Sequence, residues 1–314
     1  MEYIRGTTEF HIDSPCVLSL GKFDGIHKGH ELLLEHMKHR KRDGLAAVLF
    51  TFDIPPRPER LNGIQKVLTT NAERECICRR HGVDYLVEFP FTPEIMRMEP
   101  EAFIEMLVRS MHIKCIVAGT DFRFGHERRG DHHLLRQYSG HYGYELVVVD
   151  KVQYEGSDIS SSRIRQEVEA GNMELVSKLL GYDYFVEGTV THGRHLGTNA
   201  LGIPTVNVIP AENKLLPPFG VYVCHVHCDG HVYDGIANVG CKPTIEGDNP
   251  AAVEAHIFDF AEDLYGRKLQ ISFLSAVRPE RKFDSLQALK HQMEQDIVYG
   301  RQYHRIHGNS SAID

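Results

Sequence analysis

The hydrophobic pattern of the chain changes character near residue 182. Before that point, apolar segments of strand length alternate with amphipathic stretches of helical spacing. After it, short apolar segments follow one another, separated by glycine and proline. Alternating strands and helices indicate a parallel, doubly wound α/β sheet, whereas closely spaced short strands indicate an antiparallel β-barrel. We therefore predict two domains, residues 1–182 and residues 183–314.

The individual elements follow from the same pattern. In the first half, strands are predicted at residues 16–20, 46–52, 85–87, 115–118 and 146–149. Two helices follow, at residues 161–170 and 173–180. In the second half, strands are predicted at residues 185–191, 205–209, 220–228, 233–239, 253–260 and 269–274, with a final helix at residues 285–297.

Composition and charge limit the partners of the chain. Its 314 residues are 42% hydrophobic and 25% charged, which excludes a largely disordered or collagen-like protein. We find no apolar run of membrane-spanning length and no secretory signal, so we expect a cytoplasmic protein without a membrane partner. With a net charge of -8, the chain lacks the basic surface that is typical of a nucleic-acid-binding protein. Seven cysteines, an odd number, favour reduced thiols. The expected partners are small molecules. The sequence leaves open whether the chain forms a homo-oligomer.

A loop rich in glycine and histidine joins the first strand to the first helix, with the sequence GKFDGIHKGH at residues 21–30. In an open α/β sheet, ligands bind beyond the carboxyl ends of the strands, and the N-terminus of a helix favours phosphate there. Two imidazoles three residues apart can face the same phosphate chain, and glycines leave room for it. The candidate phosphate-binding residues of this loop are Gly21, Phe23, Asp24, Gly25, His27 and His30.

Zinc is a weaker interpretation of the histidines and cysteines in this chain. A His-x-x-His pair needs a further ligand, and none follows His30 at a recognisable spacing. In the sequence CHVHC at residues 224–228, strand alternation puts the cysteines on one face and the histidines on the other. The four side chains cannot converge without a bend, so we interpret this segment as an ordinary barrel strand.

A second phosphate-binding string, ISSSRIR, occupies residues 159–165 at the start of a later helix. Hydroxyl and N–H groups at a helix cap, with an arginine one turn further on, suit an anionic phosphate. Taken alone, a serine-rich helix start indicates only a cap. Paired with the histidine loop, Ser161, Ser162 and Arg165 are interpreted as the second wall of one nucleotide site.

The second half carries its own glycine-rich string at residues 188–207. Its glycines allow backbone amides to approach a phosphate chain closely. Thr205 and Asn207 are two apart on a predicted strand and so share one face, where a hydroxyl and an amide oxygen suit Mg²⁺. The predicted phosphate site of this domain comprises Gly188, Gly193, Gly197, Gly202, Pro204, Thr205 and Asn207, the last two as Mg²⁺ ligands.

These strings resemble the bifunctional bacterial riboflavin kinase/FAD synthetase family, within the histidine-motif nucleotidyltransferases. The blocks LTTNAER at residues 68–74, AGTDFRFG at 118–125 and VEAHIFDF at 253–260 support the resemblance, which runs from about residue 17 to residue 297. It implies a Rossmann-like nucleotidyltransferase domain followed by a riboflavin kinase barrel with a C-terminal helix. His27 and His30 would hold the ATP phosphates, with Asp121 a polar neighbour of the reacting groups. Glu254 would be the general base for the ribityl hydroxyl of riboflavin.

The resemblance also implies two activities that use ATP and Mg²⁺. The barrel would phosphorylate riboflavin to FMN, and the first domain would adenylate FMN to FAD with release of pyrophosphate. Where the family often reads Thr-Phe-x-Pro-His-Pro, this chain reads TFDIPP at residues 51–56, without the histidine. A protein with only one of the two activities therefore stays open, as does a non-catalytic flavin-binding regulator. A cytidylyltransferase would share the histidine loop but leaves the second domain unexplained.

Overall fold

The computed structural model describes residues 1–53, 66–191, 202–241 and 251–308. The chain divides into two compact units, Met1–Ser161 and Ser162–Asp314. The expected domain boundary between residues 182 and 183 stays a prediction. Among the described residues, no helix is both long enough and apolar enough to cross a membrane.

The first unit is built on a six-stranded parallel sheet. In chain order, its elements are β1 (Glu2–Arg5), β2 (Ile12–Leu20), α1 (Lys28–Arg42), β3 (Ala46–Asp53), α2 (Asn71–Arg80), β4 (Tyr85–Pro90), α3 (Pro93–Met96), α4 (Pro100–Ser110), β5 (Met111–Gly119), β6 (Arg123–Phe124), a 3₁₀ turn (His126–Arg128), β7 (Gly130–Asp131), α5 (His132–Tyr142), β8 (Glu145–Val149), β9 (Gln153–Tyr154) and β10 (Ser157–Asp158). The strand order in the main sheet is β1-β4-β3-β2-β5-β8, and every pair is parallel. The predicted doubly wound α/β sheet is confirmed.

The position of β2 determines where this sheet can bind a ligand. The last five residues of β2 are buried, as in a central strand covered on both faces. Its neighbours are β3 on one side and β5 on the other, so the strand order reverses here. In doubly wound sheets, ligands bind at this reversal, beyond the carboxyl ends of the strands. The segments that follow β2 and β5 therefore border the expected crevice.

The second unit contains a closed antiparallel barrel with helices before and after it. Its elements are α6 (Ser161–Ala170), α7 (Met173–Leu180), β11 (Phe185–Thr191), β12 (Val206–Val208), β13 (Gly220–Cys228), β14 (His231–Cys241), β15 (Ala251–Ile257), β16 (Lys268–Pro279) and α8 (Leu286–His307). The barrel order is β11-β12-β15-β14-β13-β16, and β16 closes it by pairing with β11. The predicted barrel with a C-terminal helix is confirmed.

The C-terminal helix is longer than the sequence pattern indicates. It was expected to end at Ile297 but continues to His307, through Gly300. A Cβ atom on Gly300 would lie 2.6 Å from Ile236 Cγ2 and 3.0 Å from the ring of Phe258. The glycine therefore lets α8 approach the barrel closely, and packing against β14 maintains the helix beyond it.

Candidate active sites

The loop after β2 delivers two histidines to the start of α1. His27 is the N-cap residue, and His30 lies in the first turn. Two residues with a left-handed backbone conformation precede them: Phe23 has a φ of 46° and Gly25 a φ of 63°. Phe23 is fully buried, and its ring centroid lies 5.0 Å from that of His30. The loop thus packs under the histidines and holds them at the N-terminus of the helix, where phosphate binding is favoured.

The two imidazole rings are stacked on each other. Their centroids lie 3.8 Å apart, and their planes differ by 20°. Gly29 makes room for this arrangement, since a Cβ there would lie 3.1 Å from the ring of His27. The Nδ1 atoms of both rings are buried and have no hydrogen-bond partner in the part of the chain that the structure describes. Two such nitrogens on adjacent rings can serve one bound ligand.

Burial controls the charge of this pair. It lowers the pKa of His27 to about 4, and the nearby carboxylate of Asp121 opposes the shift. Burial also lowers the pKa of His30 well below its ordinary value, and the proximity of His27 lowers it further. Both rings are therefore neutral at pH 7 in the absence of a ligand. A polyphosphate chain against them would raise both pKa values, so proton uptake and anion binding are coupled here.

Asp24 anchors the loop. Its Oδ1 accepts hydrogen bonds from the backbone N–H groups of Leu68, at 2.8 Å, and Thr69, at 3.1 Å. The N–H of Gly25 in turn donates to Thr69 Oγ1 at 3.0 Å. Ser161 Oγ donates to the carbonyl oxygen of Asp24 at 2.8 Å. Asp24 and Ser161 thus hold the backbone of the histidine loop in place, and their predicted contacts with ATP stay predictions.

Asp121 lies just after β5, the neighbour of β2 in the sheet. Its side chain is exposed, and its Oδ2 lies 3.5 Å from Lys151 Nζ, which also contacts Asp158 Oδ2 at 3.0 Å. The sequence analysis does not include Lys151 among the site residues. Its position shortly after the carboxyl end of β8, at the same edge of the sheet as the histidine loop, is the feature that could have indicated it. This edge therefore presents one cation as well as two imidazoles.

The other two residues of the serine-rich string stand in the second unit. Ser162 and Arg165 lie in the first half of α6. Their predicted contacts with the ATP phosphates stay predictions.

Four polar side chains form a row across neighbouring barrel strands. The register pairs Thr191 with Asn207, Asn207 with Glu254, and Glu254 with Asn238. Residues directly opposite each other on antiparallel strands share a face, with Cβ atoms about 4.5–5.5 Å apart. The fully buried Val253, next to Glu254, lies on the opposite face, as the sequence alternation predicts. We call these four residues the polar row.

The polar row fits Mg²⁺. Asn207 is 5% exposed, and its Oδ1 has no hydrogen-bond partner among the described residues. Thr191 Oγ1 is also buried and has no hydrogen-bond partner among the described residues. An unsatisfied buried acceptor costs about 1–3 kcal/mol, which a bound cation would offset. Oxygen atoms are the ligands that Mg²⁺ takes. Thr205 stands just before β12, two residues from Asn207, and its predicted role as a further ligand stays a prediction.

The glycines predicted to cradle phosphate differ in what they do. A Cβ on Gly188 would lie 2.5 Å from Val208 Cγ1, so this glycine permits close packing in the barrel wall. Gly202 has a φ of 72° and open space around it, which suits a turn.

The other residues of the predicted ATP site are placed as follows. The carbonyl oxygen of Pro204 lies 2.8 Å from His256 Nδ1. Gly193 and Gly197 lie outside the described residues, as does the Pro55-Pro56 segment.

Paired histidines at the reversal point of a doubly wound sheet are the arrangement expected of a nucleotidyltransferase. A carboxylate beside buried oxygen atoms on a closed barrel is the arrangement expected of a phosphotransferase. Residues 9–163 match the FAD synthetase family model, and residues 180–304 match the riboflavin kinase family model.

Comparisons with whole protein chains give the same result over nearly the full length of the sequence. The chain is 31% identical over 312 residues to a bifunctional riboflavin kinase/FMN adenylyltransferase of Pseudomonas fluorescens, with 96% of this chain and 97% of the relative covered. A protein of the same description from Escherichia coli K12 is 35% identical, with 92% of each chain covered. A crystal structure described as a macrolide-efflux protein from Streptococcus pneumoniae has a TM-score of 0.84 and 33% identity, over 95% of this chain and 98% of that one. The chain belongs to the bifunctional riboflavin kinase/FMN adenylyltransferase family.

Proposed function

We propose that this protein makes FAD from riboflavin in two ATP-dependent steps, one in each unit. The observation that carries the proposal is that each unit has its own set of buried polar atoms without partners among the described residues. These are the Nδ1 atoms of His27 and His30 in the first unit, and Asn207 Oδ1 with Thr191 Oγ1 in the second. Each set lies within the family model that matches its unit.

The barrel performs the kinase step. Glu254 accepts the proton of the terminal ribityl hydroxyl of riboflavin as that oxygen attacks the γ-phosphorus of ATP. The bond from the γ-phosphorus to its bridging oxygen breaks, and ADP leaves. Asn207 and Thr205 would hold Mg²⁺, which when bound neutralises charge on the phosphates. The cross-strand register keeps Glu254 beside Asn207, so the base and the phosphate end of ATP are brought together.

The first unit performs the adenylyl transfer. A phosphate oxygen of FMN attacks the α-phosphorus of a second ATP, and the bond to the pyrophosphate oxygen breaks. The stacked His27 and His30, together with the N-terminus of α1, bind the phosphate chain that becomes pyrophosphate. Donors held in place before the reaction stabilise the charge that develops on the leaving group. No group of the protein has to form a covalent bond with the substrate.

We further propose Mg²⁺ as the metal of both steps, oxygen ligands being present in the polar row and phosphates in both substrates. The cytoplasm, where ATP is available, is the proposed location. ATP, riboflavin and FMN are the proposed partners.

The test is a product assay with each flavin supplied in turn. Riboflavin, ATP and Mg²⁺ should yield FMN and then FAD, separated by chromatography, whereas FMN with ATP should yield FAD directly. If riboflavin yields FMN and neither flavin yields FAD, the kinase-only alternative is favoured. If FMN yields FAD but riboflavin yields no product, the synthetase-only alternative is favoured. Flavin binding without any new flavin nucleotide would instead favour the non-catalytic regulator.

A further inference from the structure

Three side chains with metal-ligand chemistry meet where α8 packs against the barrel, and none of them belongs to either proposed site. His225 on β13 pairs directly with Asp234 on β14, and His304 reaches them from the last turns of α8. One ligand atom from each residue lies within 4.8 Å of the other two. We call these residues the outer cluster.

The distances in the outer cluster match a tetrahedral metal site. His225 Nε2 lies 3.5 Å from Asp234 Oδ1, and His304 Nδ1 lies 3.2 Å from the same oxygen. Ligands at about 2.0–2.1 Å from Zn²⁺ stand about 3.3–3.4 Å from one another in a tetrahedron. Two of the three edges therefore already have the required length. The third edge, between the ligand nitrogens of the two imidazoles, is at most 4.8 Å long.

The tautomer of His304 supports the same interpretation. Its Nε2 lies 3.3 Å from the carbonyl oxygen of Gly235, which can only accept a hydrogen bond, so this contact favours the tautomer with the hydrogen on Nε2. Nδ1 then presents a lone pair to the Asp234 carboxylate, an arrangement that requires a cation or a second proton between them. Histidines that bind metals commonly donate their other ring N–H to a backbone carbonyl in this way.

Charge and burial around the outer cluster favour a divalent cation. His304 is buried, at 6% exposure. The side chain of His225 is largely buried as well. The Asp183 carboxylate acts electrostatically on the His225 ring and supplies a second negative charge nearby. Arg301, a cation that interacts electrostatically with Asp234, already donates two hydrogen bonds to Asp259, at 2.7 and 2.8 Å.

We propose that the outer cluster binds a divalent transition metal of the Zn²⁺ type through His225 Nε2, Asp234 Oδ1 and His304 Nδ1, with water as the fourth ligand. Such a site connects the end of α8 to the β13–β14 hairpin. It therefore stabilises the barrel unit rather than taking part in phosphate transfer. Of the Cys-His-rich strand at residues 224–228, only His225 contributes a ligand, and the others come from β14 and α8.

The test uses the full-length protein freed of metal with a chelator. Titration with ZnCl₂ in a calorimeter should show one tight equivalent, and the midpoint of thermal unfolding should rise. Asp234→Asn conserves size but replaces the anionic carboxylate by a neutral amide, and His304→Gln replaces the imidazole nitrogen by a weakly binding amide. Each should weaken Zn²⁺ binding by more than about 100-fold, beyond the range that substitutions around a ligand shell cause. His231→Ala removes an exposed histidine from the same hairpin and should leave binding unchanged.

Co²⁺ provides a readout that does not depend on the stability of any variant. In the wild-type protein it should give the intense visible absorption of a tetrahedral site without the near-ultraviolet band of cobalt–thiolate bonds. Absence of a tight Zn²⁺ equivalent would overturn the proposal. Equal binding by the wild type and both ligand variants would do the same, as would a thiolate band, because the cation would then be held elsewhere.

Discussion

Asn207 on β12 and Glu254 on β15 stand directly opposite each other in the barrel wall. One supplies a buried oxygen without a partner among the described residues, and the other supplies a carboxylate on the same face. The proposed metal ligand and the proposed proton acceptor are thus neighbours through backbone hydrogen bonding alone, independent of any loop. This relationship would give the kinase step a rigid base, which is the condition for accurate positioning of the reacting hydroxyl.

Glu254→Gln tests the proton acceptor. The amide retains the size of the side chain but cannot take up the proton, so FMN formation from riboflavin should fall by about 10²–10⁴-fold. FAD formation from supplied FMN should continue at the wild-type rate, because it takes place in the other unit. Initial rates of both products, measured by chromatography, check this. Equal loss of both activities would contradict the assignment of Glu254.

His30→Ala tests the stacked pair. Loss of one preorganised donor should reduce FAD formation from FMN by about 10²–10³-fold, while riboflavin phosphorylation continues. His39→Ala is a matched control, because His39 lies exposed on the same helix. The rate of pyrophosphate release gives the readout. Unchanged FAD synthesis in His30→Ala would rule out a phosphate-binding role for this ring.

The lowered pKa of His27 predicts a pH dependence of stability. Between pH 6.5 and about 4, the unfolded chain takes up a proton on this ring and the folded chain does not. The free energy of unfolding should therefore decrease as the pH falls through this window, by roughly 3 kcal/mol from this ring alone. Urea unfolding at several pH values should show a shallower decrease for His27→Gln than for the wild type. Identical slopes would show that the ring is not buried as a neutral group.

Asp24→Ala tests the anchor of the histidine loop. The substitution leaves the N–H groups of Leu68 and Thr69 without their acceptor, at about 1–3 kcal/mol for each buried group. The free energy of unfolding should fall accordingly, and adenylyl transfer should weaken while the kinase step is unaffected. Asp13→Ala, at an exposed position on β2, serves as the control. A variant with normal stability and lower affinity for ATP would instead favour the direct contact with ATP that the sequence suggested.

The local elements were largely readable from the sequence. The bounds predicted for β11 and β13 agree with the structure, because their apolar runs end at clear turn residues. α8 was predicted too short, because the sequence pattern does not reveal that Gly300 packs against the barrel. Strand β1 was missed, since four residues with two exposed ends carry little hydrophobic signal.

Neighbours along the chain are enough to specify the two fold classes, the histidine loop and the alternation that turns Glu254 away from the core. Long-range packing is needed to bring Thr191 and Asn238 into the polar row with Glu254, and to bring His304 to His225 and Asp234. Asp24 likewise became an anchor only through the backbone of Leu68 and Thr69. The physical reason is that strand register and helix docking bring together residues far apart in the chain, and periodicity within one segment carries no information about its partner.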